Sequence, residues 1–353
     1  MLHRRIYKLR EILKEKKLDA ALIHKPENRR YISGFTGTSG YALITMNKAF
    51  FITDFRYIDQ AKQECKEYDI VKHDNEYNIY SIINELNLQY LGFEEDFITY
   101  NQYKEFSKKL NNTLVPLNGA INSMRKIKYE EELKFIEQAA NIADEAFLHI
   151  CEYIKPGITE RAVALELEFF MKNKGATATS FDTIVASGIR SALPHGVASN
   201  KTLEKGDFIT IDFGCIYKGY CSDMTRTIVL GKANDKQKEI YNIVLEAQLK
   251  ALEEIKPGIT GREADKIARD FITSKGYGKN FGHGLGHGVG LEIHEEPRLS
   301  PIGKELLQVG MVVTDEPGIY LSGFGGVRIE DLLVITENGN RVLSKSPKHL
   351  IEI

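Results

Sequence analysis

Phe281-Gly-His-Gly-Leu-Gly-His-Gly-Val-Gly-Leu-Glu-Ile-His-Glu-Glu-Pro297 is the stretch around which this chain is organised. It sets three histidines, His283, His287 and His294, among five glycines. Two histidines four apart on a helix would share a face, as in zinc proteases. Gly284, Gly286, Gly288 and Gly290 oppose a helix here. They suit a loop and strand pressed against something that a side chain would exclude. A single histidine is more often a core or surface residue than a ligand. This cluster asks for partners, and the chain supplies Asp212 and Asp223 upstream and Glu316 and Glu330 downstream.

Working outward, 353 residues exceed what one core usually holds, so two domains are expected. The net charge of −2, with 27% charged and 42% hydrophobic residues, is that of an ordinary globular chain. No basic run or bilayer-length apolar stretch points to nucleic acid or membrane. The N-terminus lacks the apolar core of a signal peptide. Cys65, Cys151, Cys215 and Cys221 form no C-x-x-C pair. Reduced thiols and a cytoplasmic location are the expectation.

Residues 4–17 carry helical spacing, and Asp19–His24 reads as a strand. Phe50–Tyr57 reads as a strand running into a helix through Ala61. Alternation continues to about residue 120, which makes residues 1–122 an α/β domain. A long helix over 129–153 opens the second domain, 123–353. That domain holds an internal repeat. Glu152-Tyr-Ile-Lys-Pro-Gly-Ile-Thr159 recurs as Glu253-Glu-Ile-Lys-Pro-Gly-Ile-Thr260, 101 residues later. Each copy leads into a helix that ends at a Lys-Gly step, and the alignment then carries Asp212 onto Glu316. Two similar halves about a pseudo-twofold axis would place an active site between them.

Strand-like segments around Asp212 and Asp223 flank a short connection containing Gly219, which reads as a hairpin. Centred between Tyr217 and Lys218, it would set Asp212 opposite Asp223. Glu316 and Glu330 flank Gly323-Phe-Gly-Gly326, so a second hairpin would pair them. Four carboxylates and one imidazole would then converge. Such crowding repels itself without compensation. Two divalent cations would neutralise it, bridged by carboxylates as in two-metal hydrolytic sites. An oxygen-rich donor set without thiolate favours Mn²⁺, with Co²⁺ or Zn²⁺ as alternatives. Any one of these acids alone would read as a solvated surface charge; their joint placement in apolar strands would not.

The order Asp212, Asp223, His287, Glu316, Glu330 resembles the ligand order of the pita-bread metallopeptidases. His283 to Glu295 looks like the signature of their Xaa-Pro aminopeptidase and prolidase branch. Gly34-Phe-Thr-Gly-Thr-Ser-Gly40 and Thr53-Asp-Phe-Arg-Tyr57 are similar to its creatinase-like N-terminal domain. The resemblance implies a creatinase-like α/β front domain and an α+β pita-bread domain. It implies that Asp212 chelates one metal, Asp223 and Glu330 bridge both, and His287 and Glu316 complete the second. A metal-bridging water would be the nucleophile, with Glu316 as proton shuttle. His195 and His294 would bind substrate and stabilise the tetrahedral intermediate. Arg328 and Thr225, each two residues from a bridging carboxylate, would support the ligands, and His283 is given no role.

The activity so implied is release of the first residue from short peptides with proline second, by a homodimer. An Xaa-Pro dipeptidase (prolidase) is the alternative. A pita-bread module that binds peptides without catalysis is a distant third, since such modules typically lose ligands.

Overall fold

The computed structural model describes residues 1–353. Its two compact units are Met1–Arg125 and Lys126–Ile353.

The first unit begins with α1 (Leu2–Glu15), β1 (Ala20–Ile23), α2 (Pro26–Ser33), β2 (Tyr41–Thr45) and β3 (Ala49–Thr53). It continues with α3 (Ile58–Glu64), β4 (Asp69–Lys72), α4 (Ile79–Glu85), β5 (Tyr90–Phe93), α5 (Tyr100–Lys109), β6 (Thr113–Pro116) and α6 (Ala120–Arg125). The strands form one sheet in the order β4-β3-β2-β1-β5-β6. Leu22, Leu43, Ile52, Ile83 and Leu91 pack into one of its cores. The expected run from strand straight into helix across Phe50–Ala61 is corrected. Asp54 Oδ1 accepts from the Arg56 backbone N–H at 3.0 Å and from Arg56 Nε at 2.8 Å. That local turn stops β3 at Thr53 and delays α3 to Ile58.

The second unit repeats itself. Its first half holds α7 (Glu130–Tyr153), α8 (Glu160–Asn173), β7 (Ala178–Thr179), β8 (Ile184–Ser187), β9 (Phe208–Phe213), β10 (Cys215–Tyr217), β11 (Tyr220–Cys221) and β12 (Met224–Val229). Its second half holds α9 (Asp235–Glu254), α10 (Gly261–Ser274), β13 (Gly286–Gly288), β14 (Glu295–Leu299), β15 (Val312–Asp315), β16 (Gly318–Leu321), β17 (Gly325–Arg328), β18 (Asp331–Thr336) and β19 (Gly339–Val342). Phe147, Val163, Leu167 and Ile211 fill the first half's core. Val244, Ala268, Leu285 and Val313 fill the second's.

The repeat is visible in backbone detail. Thr159 and Thr260 each cap a helix, with side-chain oxygens accepting from Ala162 and Glu263 N–H. The preceding glycines take matching left-handed turns, Gly157 at φ 90° and Gly258 at φ 91°. Their amides donate to Leu203 and Leu307 carbonyls at 3.0 and 2.9 Å. Gly206 and Gly310, which open the strands leading to Asp212 and Glu316, repeat the match at φ 92° and 88°.

One hairpin register differs from expectation. Lys218 and Gly219 have φ of 50° and 89°, and Tyr217 pairs with Tyr220. Two central residues at positive φ make a two-residue turn of the hairpin-favouring type. Its centre therefore lies between Lys218 and Gly219, and Asp212 pairs with Thr225 rather than Asp223. The second hairpin pairs Gly318 with Arg328. Extended by two residues, that register sets Glu316 opposite Glu330.

The glycine-rich stretch forms loop and strand as expected. A Cβ at Gly286 would lie 2.1 Å from the Thr314 carbonyl oxygen, and one at Gly288 2.5 Å from that of Glu296. Neither neighbour is a side chain that can swing away. Gly286→Ala should therefore cost about 1–3 kcal/mol as an overpacking change. The check is urea unfolding, with a lower midpoint at unchanged slope.

Candidate active site

The strands above bring Asp212, Asp223, His287, Glu316 and Glu330 into one cluster. One ligand atom each from Asp223, His287 and Glu330 lie within 4.8 Å of one another. His287 Nε2 is 3.5 Å from Asp223 Oδ2 and 3.4 Å from Glu316 Oε1. Its Nδ1 is 3.0 Å from the Gly288 carbonyl oxygen. A carbonyl only accepts, so Nδ1 carries the proton and Nε2 turns a lone pair toward the carboxylates. Burial, then the charge of His294, lowers the imidazole to about 4 and favours this neutral form. A lone pair facing two carboxylates is a repulsive arrangement unless a cation lies among them.

The carboxylates tell the same story. Burial, followed by the charges of Glu330, Asp212 and Glu316, pushes Asp223 well above the usual carboxylate range. Burial and then Glu316 do the same to Glu330. Burial raises Glu316 to about 8, opposed by Arg328. Asp212 Oδ1 is buried without a hydrogen-bond partner. Mutually repelling acids, a free lone pair and an orphaned oxygen together fit divalent cations.

Arg328 ties the cluster together. Its Nη2 donates to Asp212 Oδ2 at 2.6 Å, Nε to Thr225 Oγ1 at 3.0 Å and Nη1 to the Tyr320 hydroxyl at 2.8 Å. Thr225 Oγ1 in turn donates to Glu330 Oε2 at 2.6 Å. Thr225 thus serves Glu330 across the two hairpins, not its strand neighbour Asp223. Thr314 donates to Glu316 Oε1 at 3.2 Å and accepts from the His287 backbone N–H at 3.1 Å.

The other histidines surround this cluster. The His294 ring stands 4.3 Å from that of His287 between centroids. Partial burial of the ring lowers His294, and the charge of Asp212 opposes the shift. His195 follows Pro194, whose carbonyl accepts from Arg328 Nη1 at 3.2 Å. Both His195 and His294 are exposed.

Sequence reasoning passed over three residues. His283 Nδ1 lies 2.8 Å from the Gly284 carbonyl, so Nε2, 2.8 Å from the Tyr320 hydroxyl, accepts its proton. His283 thereby holds Tyr320 against Arg328. Alternation along one strand face, Glu316 to Gly318 to Tyr320, was the available signal. Arg298 pairs with His287 across β13 and β14, its side chain 67% exposed. Its positive charge contributes to the lowering of both His287 and His294.

Comparison with known proteins gives the family. Residues 134–337 match metallopeptidase family M24, and residues 5–127 match the creatinase/prolidase N-terminal domain. The chain belongs to metallopeptidase family M24. An Xaa-Pro dipeptidase of Pyrococcus horikoshii is 46% identical, with 99% of each chain covered. The structure of an Xaa-Pro dipeptidase from Bacillus anthracis is 52% identical, with a TM-score of 0.97 over 100% of both chains. That of an X-Pro aminopeptidase from Thermotoga maritima is 41% identical, with a TM-score of 0.91 over 96% of this chain and 98% of that one. The second unit is thus a pita-bread domain and the first a creatinase-like one. As an M24 metallopeptidase, the protein uses divalent metal ions.

A pH dependence follows from Glu316. A carboxyl raised on folding binds more protons folded than unfolded, so its contribution to stability is lost as pH rises. For the cation-free protein the loss runs from the ordinary 4.5 up to about 8. Bound cations replace the protons and remove it. The gap in Tm between manganese-loaded and cation-free protein should widen across that interval, read by calorimetry. Parallel Tm curves would contradict the burial argument.

Proposed function

We propose that this metallopeptidase is an Xaa-Pro dipeptidase, cleaving the bond between the first residue and a C-terminal proline. The sequence alone leaned toward an Xaa-Pro aminopeptidase, with the dipeptidase as alternative. Relatives named Xaa-Pro dipeptidase, at 45–52% identity along nearly the whole chain, carry the revised reading. The Thermotoga maritima aminopeptidase keeps the longer-peptide reading as the second choice. Arg298 gives the dipeptidase reading a chemical basis. A dipeptide ends in a free carboxylate one residue past the scissile bond, and an exposed guanidinium beside His287 and His294 suits it.

Asp212, Asp223, His287, Glu316 and Glu330 would hold the cations. Four carboxylates argue for two ions, and oxygen donors with one imidazole argue for manganese. When bound, the ions supply Lewis acidity and the positive charge that lets the buried acids ionise together. The chain's own groups do the rest. Glu316 would take a proton from the attacking water and return it to the departing proline nitrogen. A bond to proline has no N–H, so that nitrogen must be protonated as the bond breaks. His294, kept neutral, and His195 would donate N–H groups to the oxygen of the tetrahedral intermediate. Arg328, Thr225 and Tyr320 hold Asp212 and Glu330 in place.

A homodimer in the cytoplasm completes the reading. The Asp54–Tyr57 turn presents Phe55 at 75% exposure, a suitable contact for a second copy. The four cysteines are all unpaired. Light scattering at micromolar concentration should give a dimer.

The substrate assignment predicts faster turnover of Xaa-Pro than of Xaa-Pro-Xaa by manganese-loaded enzyme. Inert dipeptides with rapid tripeptide cleavage would return the assignment to an aminopeptidase. Arg298→Ala should raise KM for Xaa-Pro by about tenfold or more, the worth of a charge-assisted hydrogen bond, and leave tripeptides nearly untouched. Replacing Asp223 or Glu330 by Ala should abolish turnover and lower metal content. His195→Ala and His294→Ala should retain metal and lose about 10²–10³ in turnover; loss of metal from either would show it to be a ligand instead.

A further inference from the structure

His195 lies on a segment that is held at both ends by one carboxylate. Glu160, the first residue of α8, is fully buried. Its Oε1 accepts from the backbone N–H and the hydroxyl of Ser187, both at 2.8 Å. Its Oε2 accepts from the backbone N–H and the hydroxyl of Ser199 at 3.0 and 2.6 Å. Arg190 Nε stands 3.2 and 3.1 Å from the two oxygens, while its Nη2 donates to the Val197 carbonyl at 2.9 Å. Each oxygen serves one end of residues 187–199, and the guanidinium fastens the middle.

Further polar contacts hold its middle: Ser191 Oγ accepts from Gly326 N–H at 2.8 Å, and the Pro194 carbonyl accepts from Arg328 Nη1 at 3.2 Å. Ile189, Leu193 and Val197 are 63%, 50% and 51% exposed, so apolar burial contributes little. A stretch with few buried apolar contacts opens easily unless polar contacts hold it. The internal repeat does not keep an acid at the Glu160 position. Thr159 and Thr260 cap α8 and α10 alike, but the residue after Thr260 is Gly261, which has no side chain. Helix α10 starts without a carboxylate at that position. The Glu160 carboxylate accepts from Ser187, Arg190 and Ser199, all outside its own helix.

We propose that Glu160 is the positioning residue for His195, fixing the 187–199 segment so that the imidazole faces the reacting carbonyl. The proposal rests on the reading of His195 as a donor to the tetrahedral intermediate. Displacing a catalytic group by about 1 Å can cost about 10²-fold.

The test uses manganese-loaded full-length enzyme with an Xaa-Pro dipeptide. Glu160→Gln should lose about tenfold to hundredfold in kcat/KM, with metal content unchanged. Ser199→Ala, a milder cut, should lose less, and Ser199→Thr, which keeps the hydroxyl, should recover the loss. In a His195→Ala background, Glu160→Gln or Ser199→Ala should cost little more, because the two changes act through one group. Amide hydrogen exchange should quicken across 188–199 and stay unchanged in β9. Additive losses in the His195→Ala background, or unaltered exchange across 188–199, would overturn the proposal. Full activity of His195→Ala alone would overturn the reading of His195 itself, a failure visible without any Glu160 variant.

Discussion

Four carboxylates taken out of water into one cluster set the terms for the rest of this molecule. Two like charges 4 Å apart repel by about 4 kcal/mol even at an effective dielectric of 20. Burial and mutual repulsion accordingly raise Asp223, Glu316 and Glu330 together. Part of the relief is built from the chain: Arg328 on Asp212, Thr225 on Glu330 and Thr314 on Glu316. The remainder is left to divalent cations, which ties the integrity of the site to metal and to pH.

Duplication explains how the acids come to meet. Each half supplies a strand that starts at a left-handed glycine and ends near a carboxylate, Asp212 in one and Glu316 in the other. The hairpin that follows each strand returns with a second acid. The halves have diverged where their loops carry histidine. In the second, Asp265 on α10 accepts from Leu285 N–H at 3.0 Å, and Arg269 holds the Phe281 carbonyl at 2.8 Å. In the first, a carboxylate at the very start of α8 grips a loop with little core of its own. Similar helices have thus been fitted with different anchors for different loops.

The imidazoles divide their work by tautomer. His283 and His287 both give Nδ1–H to the carbonyl of the following glycine, which leaves Nε2 as an acceptor. For His287 that lone pair points at the acid cluster; for His283 it receives the Tyr320 proton. A peptidase for bonds to proline needs groups that protonate nitrogen and steady an oxyanion rather than groups that hold an amide N–H. In the proposed reading, His294 and Glu316 would answer that need.

Much of this was legible in the order of residues, because it depends on local chemistry. The repeated Lys-Pro-Gly-Ile-Thr phrases ending at Thr159 and Thr260 announce helix starts, and the glycines around His287 announce a backbone approached too closely for side chains. The repeat and the sequence of donors, Asp212 to Glu330, identify the family. Register was not legible: whether Asp212 faces Asp223 or Thr225 turns on the positive φ of Lys218, which a lysine does not advertise. Nor was it legible that Thr225 would serve Glu330, 105 residues away, or that His283 would brace Tyr320. Such contacts join separate strands, and the chain carries no local trace of them. Only the meeting of the two halves decides which side chain completes which, because a hydrogen bond forms where folding brings its partners within about 3 Å.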